Sequence, residues 1–105
     1  MHEIVACSTS DVKPGSAIRV EIEGHRLAIV RVDESGWYVI GDLCTHAEAS
    51  LSEGDVWPDE LEIECPMHGA VFSLVTGEPQ TLPATQPVPT YEVRVDGNEV
   101  KVTLP

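Results

Sequence analysis

CTHAEASLSEGDVWPDELEIECPMHG, residues 44 to 69, opens on Cys44-Thr45-His46 and closes on Cys65-Pro66-Met67-His68-Gly69, with eighteen residues between His46 and Cys65. Each end offers one thiol and one imidazole, spaced Cys-x-His at the first and Cys-x-x-His at the second. On loops, spacings that short let both side chains of a pair turn toward one point, while the segment between only has to return the chain. The stretch therefore reads as a folded-over hairpin whose two tips offer four metal ligands, Cys44, His46, Cys65 and His68.

Two kinds of centre suit that donor set. A structural zinc ion can take two cysteines and two histidines, but usually with both cysteines on one knuckle and both histidines on another. Here each tip carries one of each. A sulfide-bridged pair of irons accommodates the mixture directly, with Cys44 and Cys65 on one iron and His46 and His68 on the other, the ligand exchange that marks a Rieske centre. A metal-free set of core residues is the third reading. Visible absorption separates them, since zinc sites are colourless and [2Fe-2S] proteins are brown-red.

With the ligand types, both spacings and the following Gly69 in place, C-T-H…C-P-M-H-G resembles the Rieske [2Fe-2S] motif. The chain as a whole resembles the Rieske-type ferredoxins of bacterial multicomponent aromatic-ring-hydroxylating dioxygenases, although away from the motif the likeness rests on length and strand rhythm. The resemblance implies an all-β fold of stacked antiparallel sheets, with a small cluster-binding subdomain, about residues 43–74, inserted at one end of a base made by the remainder. It also implies one [2Fe-2S] cluster and a soluble one-electron carrier that is not itself an enzyme. Such a carrier takes electrons from a flavin-containing NAD(P)H-dependent ferredoxin reductase and passes them to a terminal oxygenase by weak, transient docking. Two other functions compete. One is a Rieske-like small subunit of a nitrite reductase, whose representatives often lack the full ligand set that is intact here; the other is a zinc-stabilised interaction module.

A chain of 105 residues is one domain, with little room for a second active site. Oxygen activation would need a mononuclear iron on two further histidines and a carboxylate, and only His2 and His25 remain. Met1 to Cys7 has no basic leader and only a short apolar run, so it reads as neither signal peptide nor membrane anchor. Two of three cysteines are claimed by the metal and Cys7 has no obvious partner, which agrees with a cytoplasmic protein.

Eighteen acidic against six basic residues give a formal net charge of −12, which disfavours nucleic acid and anionic membranes as partners. Between Arg31 and Arg94 there is no Lys or Arg at all, so the metal-bearing part is the acidic part. That field would repel other copies, favouring a monomer, and steer the carrier toward basic docking patches. Glu48 and Glu53 are the candidate contacts, beside the free ring nitrogens of His46 and His68. No small-molecule substrate is expected.

Around the tips the pattern is that of strands. Glu3 to Cys7 is a first short one. Ala17 to Glu23 alternates, with Ile18, Val20 and Ile22 on one face, and Arg26 to Val32 is more apolar, as a central strand would be. Trp37-Tyr38-Val39-Ile40 leads to the first tip, with Trp37 and Tyr38 as packing residues, and His25 sits near a hairpin turn. Leu61 to Glu64 runs into Cys65 and aims it inward, and Ala70 to Ser73 leaves the second tip. Pro79 to Pro89 reads as an extended loop, and Tyr91–Val95 with Glu99–Leu104 as a hairpin about Asp96-Gly97-Asn98.

The resemblance also bears on redox potential. In the family a proline-containing loop shields the cluster, and the resemblance implies Leu82-Pro83-Ala84 as its counterpart here, a plain connector being the other reading. High-potential relatives carry a disulfide between the tips, at the positions of Ala49 and Met67, and hydroxyls that donate to the cluster, at the positions of Ala70 and Phe72. Only the strengthening of such bonds on reduction matters, so two absent donors lower the potential by about 50–100 mV. The unneutralised carboxylates act in the same direction. The expected midpoint is about −150 mV, at the bottom of the Rieske range; redox titration of the holoprotein checks it, and a clearly positive value contradicts it.

Overall fold

Leu27-Ala28-Ile29-Val30 is buried at every position, which a strand achieves only when both of its faces are covered. The computed structural model describes residues 1–45, 49–67, 69–81 and 86–105. Its strands in chain order are β1 (His2–Ser8), β2 (Ser16–Ile22), β3 (His25–Arg31), β4 (Trp37–Gly41), β5 (Asp55–Trp57), β6 (Glu62–Glu64), β7 (Val71–Ser73), β8 (Thr90–Tyr91), β9 (Val93–Asp96) and β10 (Glu99–Leu104). Short 3-10 turns lie at Thr9–Asp11 and Leu51–Glu53. Pairing is antiparallel throughout, in three sheets ordered β1-β10-β9, β2-β3-β4-β8 and β5-β6-β7.

The four-stranded sheet is the middle layer, and side-chain alternation divides its residues between two cores. Leu27, Ile29 and Val39 join Val100, Val102 and Leu104 in a core shared with the β1-β10-β9 sheet. Ala28, Val30 and Ile40 join Cys44, Leu51, Ile63, Cys65, Phe72 and Leu74 in a core shared with the tips and the β5-β6-β7 sheet. The apolar run of β3 is the consequence, and β3 is central as expected. The all-β, stacked antiparallel reading is therefore borne out, with the sheet formed by residues 55–73 packed on one side of the middle layer.

Local chemistry sets the turns. Glu23 (φ 52°) and Gly24 (φ 81°) form the two-residue β2–β3 connection, with both residues left-handed as a tightly twisted hairpin requires. His25 therefore begins a strand, where its ring meets Tyr91 edge-on at 6.1 Å. Trp37 and Tyr38 pack as expected, Trp37 lying 4.8 Å beneath the Arg31 guanidinium. In the last hairpin Asp96 pairs with Glu99, so Gly97 and Asn98 make the turn and Asp96 is still strand.

Two features differ from the sequence reading. The strand read as Tyr91–Val95 is two strands, β8 on the middle sheet and β9 on the β1-β10-β9 sheet, with exposed Glu92 at the crossing. A continuous alternating pattern conceals such a change of partner. Strand β5 is not legible between its turn residues because three residues, Asp55 to Trp57, stopped by Pro58, carry too little period to register. Gly54, just before it, is dictated by space, since a Cβ there would lie 1.8 Å from the Glu64 carbonyl oxygen.

The approach to the first tip is held by a buried charge. Asp42 is fully buried and accepts bonds from Arg26 Nε (2.9 Å), the Ser52 backbone N–H (2.9 Å) and the Ser50 hydroxyl. Burial alone would raise its pKa, but the bonds from Ser50, Ser52 and Arg26 outweigh it and hold the carboxyl below its usual range. Its backbone joins in, the Leu51 N–H donating to the Asp42 carbonyl at 2.7 Å. One side chain thereby ties β3, the start of the tip and its return. Asp42→Ala strands a partly buried guanidinium and several donors, so it should cost about 3 kcal/mol in equilibrium unfolding of the holoprotein, against about 1 kcal/mol for Ser50→Ala.

Candidate metal centre

Both cysteines begin loops closed in the same way. The Cys44 N–H donates to the Ala49 carbonyl (3.0 Å) and the Cys65 N–H to the Ala70 carbonyl (2.7 Å), so each reaches five residues ahead. The first loop leaves the middle sheet after β4, and its return is pinned by an antiparallel bridge between Leu43 and Ser50. The second caps the β6–β7 hairpin, where Ile63 faces Phe72 and Glu64 faces Val71. Alternation along β6 then turns Cys65 to the same side as buried Ile63, as the sequence reading expected. Gly69 has φ +70°, a left-handed turn that glycine adopts without strain.

Two independent elements thus deliver thiols to one core. Cys44 is 3% and Cys65 1% exposed, and both are free. Burial pushes the Cys65 thiol pKa up, as does the neighbouring Cys44 thiol, while the Met67 N–H aimed at its sulfur opposes them. Adjoining buried thiols with an amide directed at one of them suit a soft metal centre, because metal bonding stabilises thiolates that burial alone disfavours. His46 and His68 lie outside the described residues, as do Glu48 and Pro83. Among the described residues no three of His, Cys, Asp and Glu converge.

The other positions read from sequence separate by environment. Ala49, Ala70 and Phe72 are buried in the core that holds both cysteines, and an Ala methyl and a Phe ring bring no hydroxyl to it. Met67 is 49% exposed. Glu53 is exposed on its 3-10 turn, beside a groove of about 420 Å³ that Arg19 and Ser52 also line.

Three contributors went unread. Asp42 appeared only as one more carboxylate, although its place between buried Ile40 and Cys44 was a usable signal. Thr45 donates its hydroxyl to the Gln86 carbonyl (2.7 Å), and the Thr81 hydroxyl accepts the Val71 N–H (3.0 Å). Two points within the proline-rich segment are thereby tied to the tips, Gln86 to the first and Thr81 to the strand leaving the second. Bonds between residues 41 and 10 positions apart leave no trace in local pattern.

Residues 2–92 match the family described as the Rieske [2Fe-2S] domain. The ferredoxin subunit of 3-phenylpropionate/cinnamic acid dioxygenase from Escherichia coli (strain K12) is 41% identical over 105 residues, covering 100% of this chain and 96% of that one. The ferredoxin of carbazole 1,9a-dioxygenase from Nocardioides aromaticivorans IC177 has the same fold, with a TM-score of 0.90 and 38% identity over 97% of each chain. A chain in the complex of reduced oxygenase and oxidized ferredoxin in carbazole 1,9a-dioxygenase gives a TM-score of 0.84 and 42% identity, over 95% of this chain and 91% of that one. Sequence, fold and paired thiols agree: the chain belongs to the Rieske [2Fe-2S] domain family.

Proposed function

We infer that this chain is the ferredoxin component of an aromatic-ring-hydroxylating dioxygenase, an electron carrier and not a catalyst. The observation that carries the reading is the end-to-end likeness to dioxygenase ferredoxin subunits, in a chain whose two cysteines meet in one buried core. The [2Fe-2S] cluster supplies one reversible electron at a potential set by its surroundings. The chain's own part is to hold it. Cys44 and Cys65 would hold one iron and His46 and His68 the other, with residues of about 43–74 as the cluster-binding subdomain on a base made by the rest. Ala49, Ala70 and Phe72, buried in the core that holds both cysteines, would help keep water from the cluster, and Met67, Gly69 and Pro83 are the further positions assigned to its environment.

The same reading extends to partners. A flavin-containing reductase loads the carrier and a terminal oxygenase unloads it, each by brief docking of a monomer, with Glu48 and Glu53 steering and the imidazoles of His46 and His68 facing the partner. No helix among the described residues is long and apolar enough to cross a membrane, and the absence of disulfides among the described cysteines suits the cytoplasm. The intact Cys/His set favours a free carrier over the docked nitrite reductase subunit.

Anaerobic purification tests this. Two irons and two labile sulfides per chain, a brown-red colour and a Rieske-type EPR signal are expected, and one zinc per chain overturns the reading. His68→Cys should lose or alter the signal. Glu48→Gln and Glu53→Gln should leave it unchanged, slow electron exchange with partners severalfold at low ionic strength, and flatten its salt dependence.

A further inference from the structure

The register of the β5-β6-β7 sheet assigns its two faces. Val56, Ile63 and Phe72 are paired across the three strands and point into the tip-side core. The alternate residues point outward: Asp55 opposite Glu64, and Trp57 opposite Glu62. Trp57 is 44% exposed, in the middle of a stretch without a single Lys or Arg. Among the described residues none of the ion pairs includes Asp55, Glu62 or Glu64. β5 is also an edge strand, so nothing within the sheet covers its outer side.

Two costs stand together on this face. Like charges directly opposite one another, as Asp55 and Glu64 are, destabilise an antiparallel pair. A half-exposed indole leaves apolar area in water. A single kind of occupant relieves both, a protein surface presenting arginine, whose guanidinium stacks on the indole face and pairs with carboxylates. The location suits electron delivery, because Glu62 precedes Cys65 by three residues and lies about 10 Å from it along the strand.

We propose that the outer face of the β5-β6-β7 sheet, centred on Trp57 with Asp55 and Glu62, is a docking surface for an arginine-bearing face of the terminal oxygenase. The proposal rests on the carrier reading, and the choice of occupant on the related ferredoxin found in complex with its oxygenase. Trp57 serves as the anchor, and the carboxylates align the partner's cations.

The test follows reoxidation of the reduced holoprotein by its own terminal oxygenase in stopped flow, with reduction by its own reductase as a separate arm. Trp57→Ala should raise the oxygenase concentration for half-maximal rate by about fivefold or more. Trp57→Phe should recover most of that loss, and the visible spectrum, midpoint potential and reductase arm should not change. Asp55→Asn with Glu62→Gln should raise the same half-saturation and weaken its salt dependence. Asp55→Asn alone should also raise the thermal unfolding midpoint at low salt by about 1–3 °C, because it removes the opposed charge. Where Trp57→Ala disturbs the spectrum, the carboxylate variants decide. Unchanged half-saturation in both sets overturns the proposal, as does a loss confined to the reductase arm. Wild-type protein that cannot reduce the oxygenase at all overturns the carrier reading instead.

Discussion

Two thiols that belong to different elements must arrive side by side in one buried core. Neither loop can do this alone, because a cysteine on a loop tip is placed only as well as the ends of its loop. The chain meets the requirement twice with the same short device, an amide at the cysteine closed onto the carbonyl five residues ahead. It then anchors the two devices differently. The second rides on a hairpin ladder, whereas the first leaves the middle sheet with a single antiparallel bridge, Leu43 to Ser50, among the described residues, and a buried carboxylate bonded to Arg26, Ser50 and Ser52 reinforces it. The net stability of a domain this size is of the order of 5–15 kcal/mol, so the Asp42 cluster is a substantial fraction of what keeps the first tip in register.

The parts legible from sequence were those whose cause is local. Alternation in β2, the apolar run of β3 and the Gly-containing turns follow from side-chain period and from φ, and each lies near its expected place. Cys44 and Cys65 were legible as partners because ligand chemistry restricts both type and spacing. What escaped notice depends on distance along the chain. Asp42 means nothing until Arg26 and Ser50 are known to surround it, and β5 exists only because β6 pairs with it. The exchange of partners at Glu92 is of the same kind, a tertiary decision laid over an unbroken local pattern.

Charge follows the same division of the molecule. Lys and Arg fall at or before Arg31 and at or after Arg94, all but Lys13 on the strands that build the two layers away from the tips, and Lys13 on the connection between β1 and β2. Arg94 pairs with Glu3 and Lys101 with Asp96 there, at exposed positions where such bridges contribute little to stability. Among the described residues of the tip-side sheet and loops, Asp42 is the carboxylate with an internal counter-charge, Arg26.

The interleaving of two cores along β3 has a further consequence. Ala28 and Val30 touch the layer that holds the cysteines, while Leu27 and Ile29 touch the layer built by the chain termini. A single stretch of backbone thus carries two messages, written in odd and even positions, that mutation can edit separately. Heritable change can refit the electron-carrying end to a new enzyme while the opposite face of the same strand goes on securing the foundation.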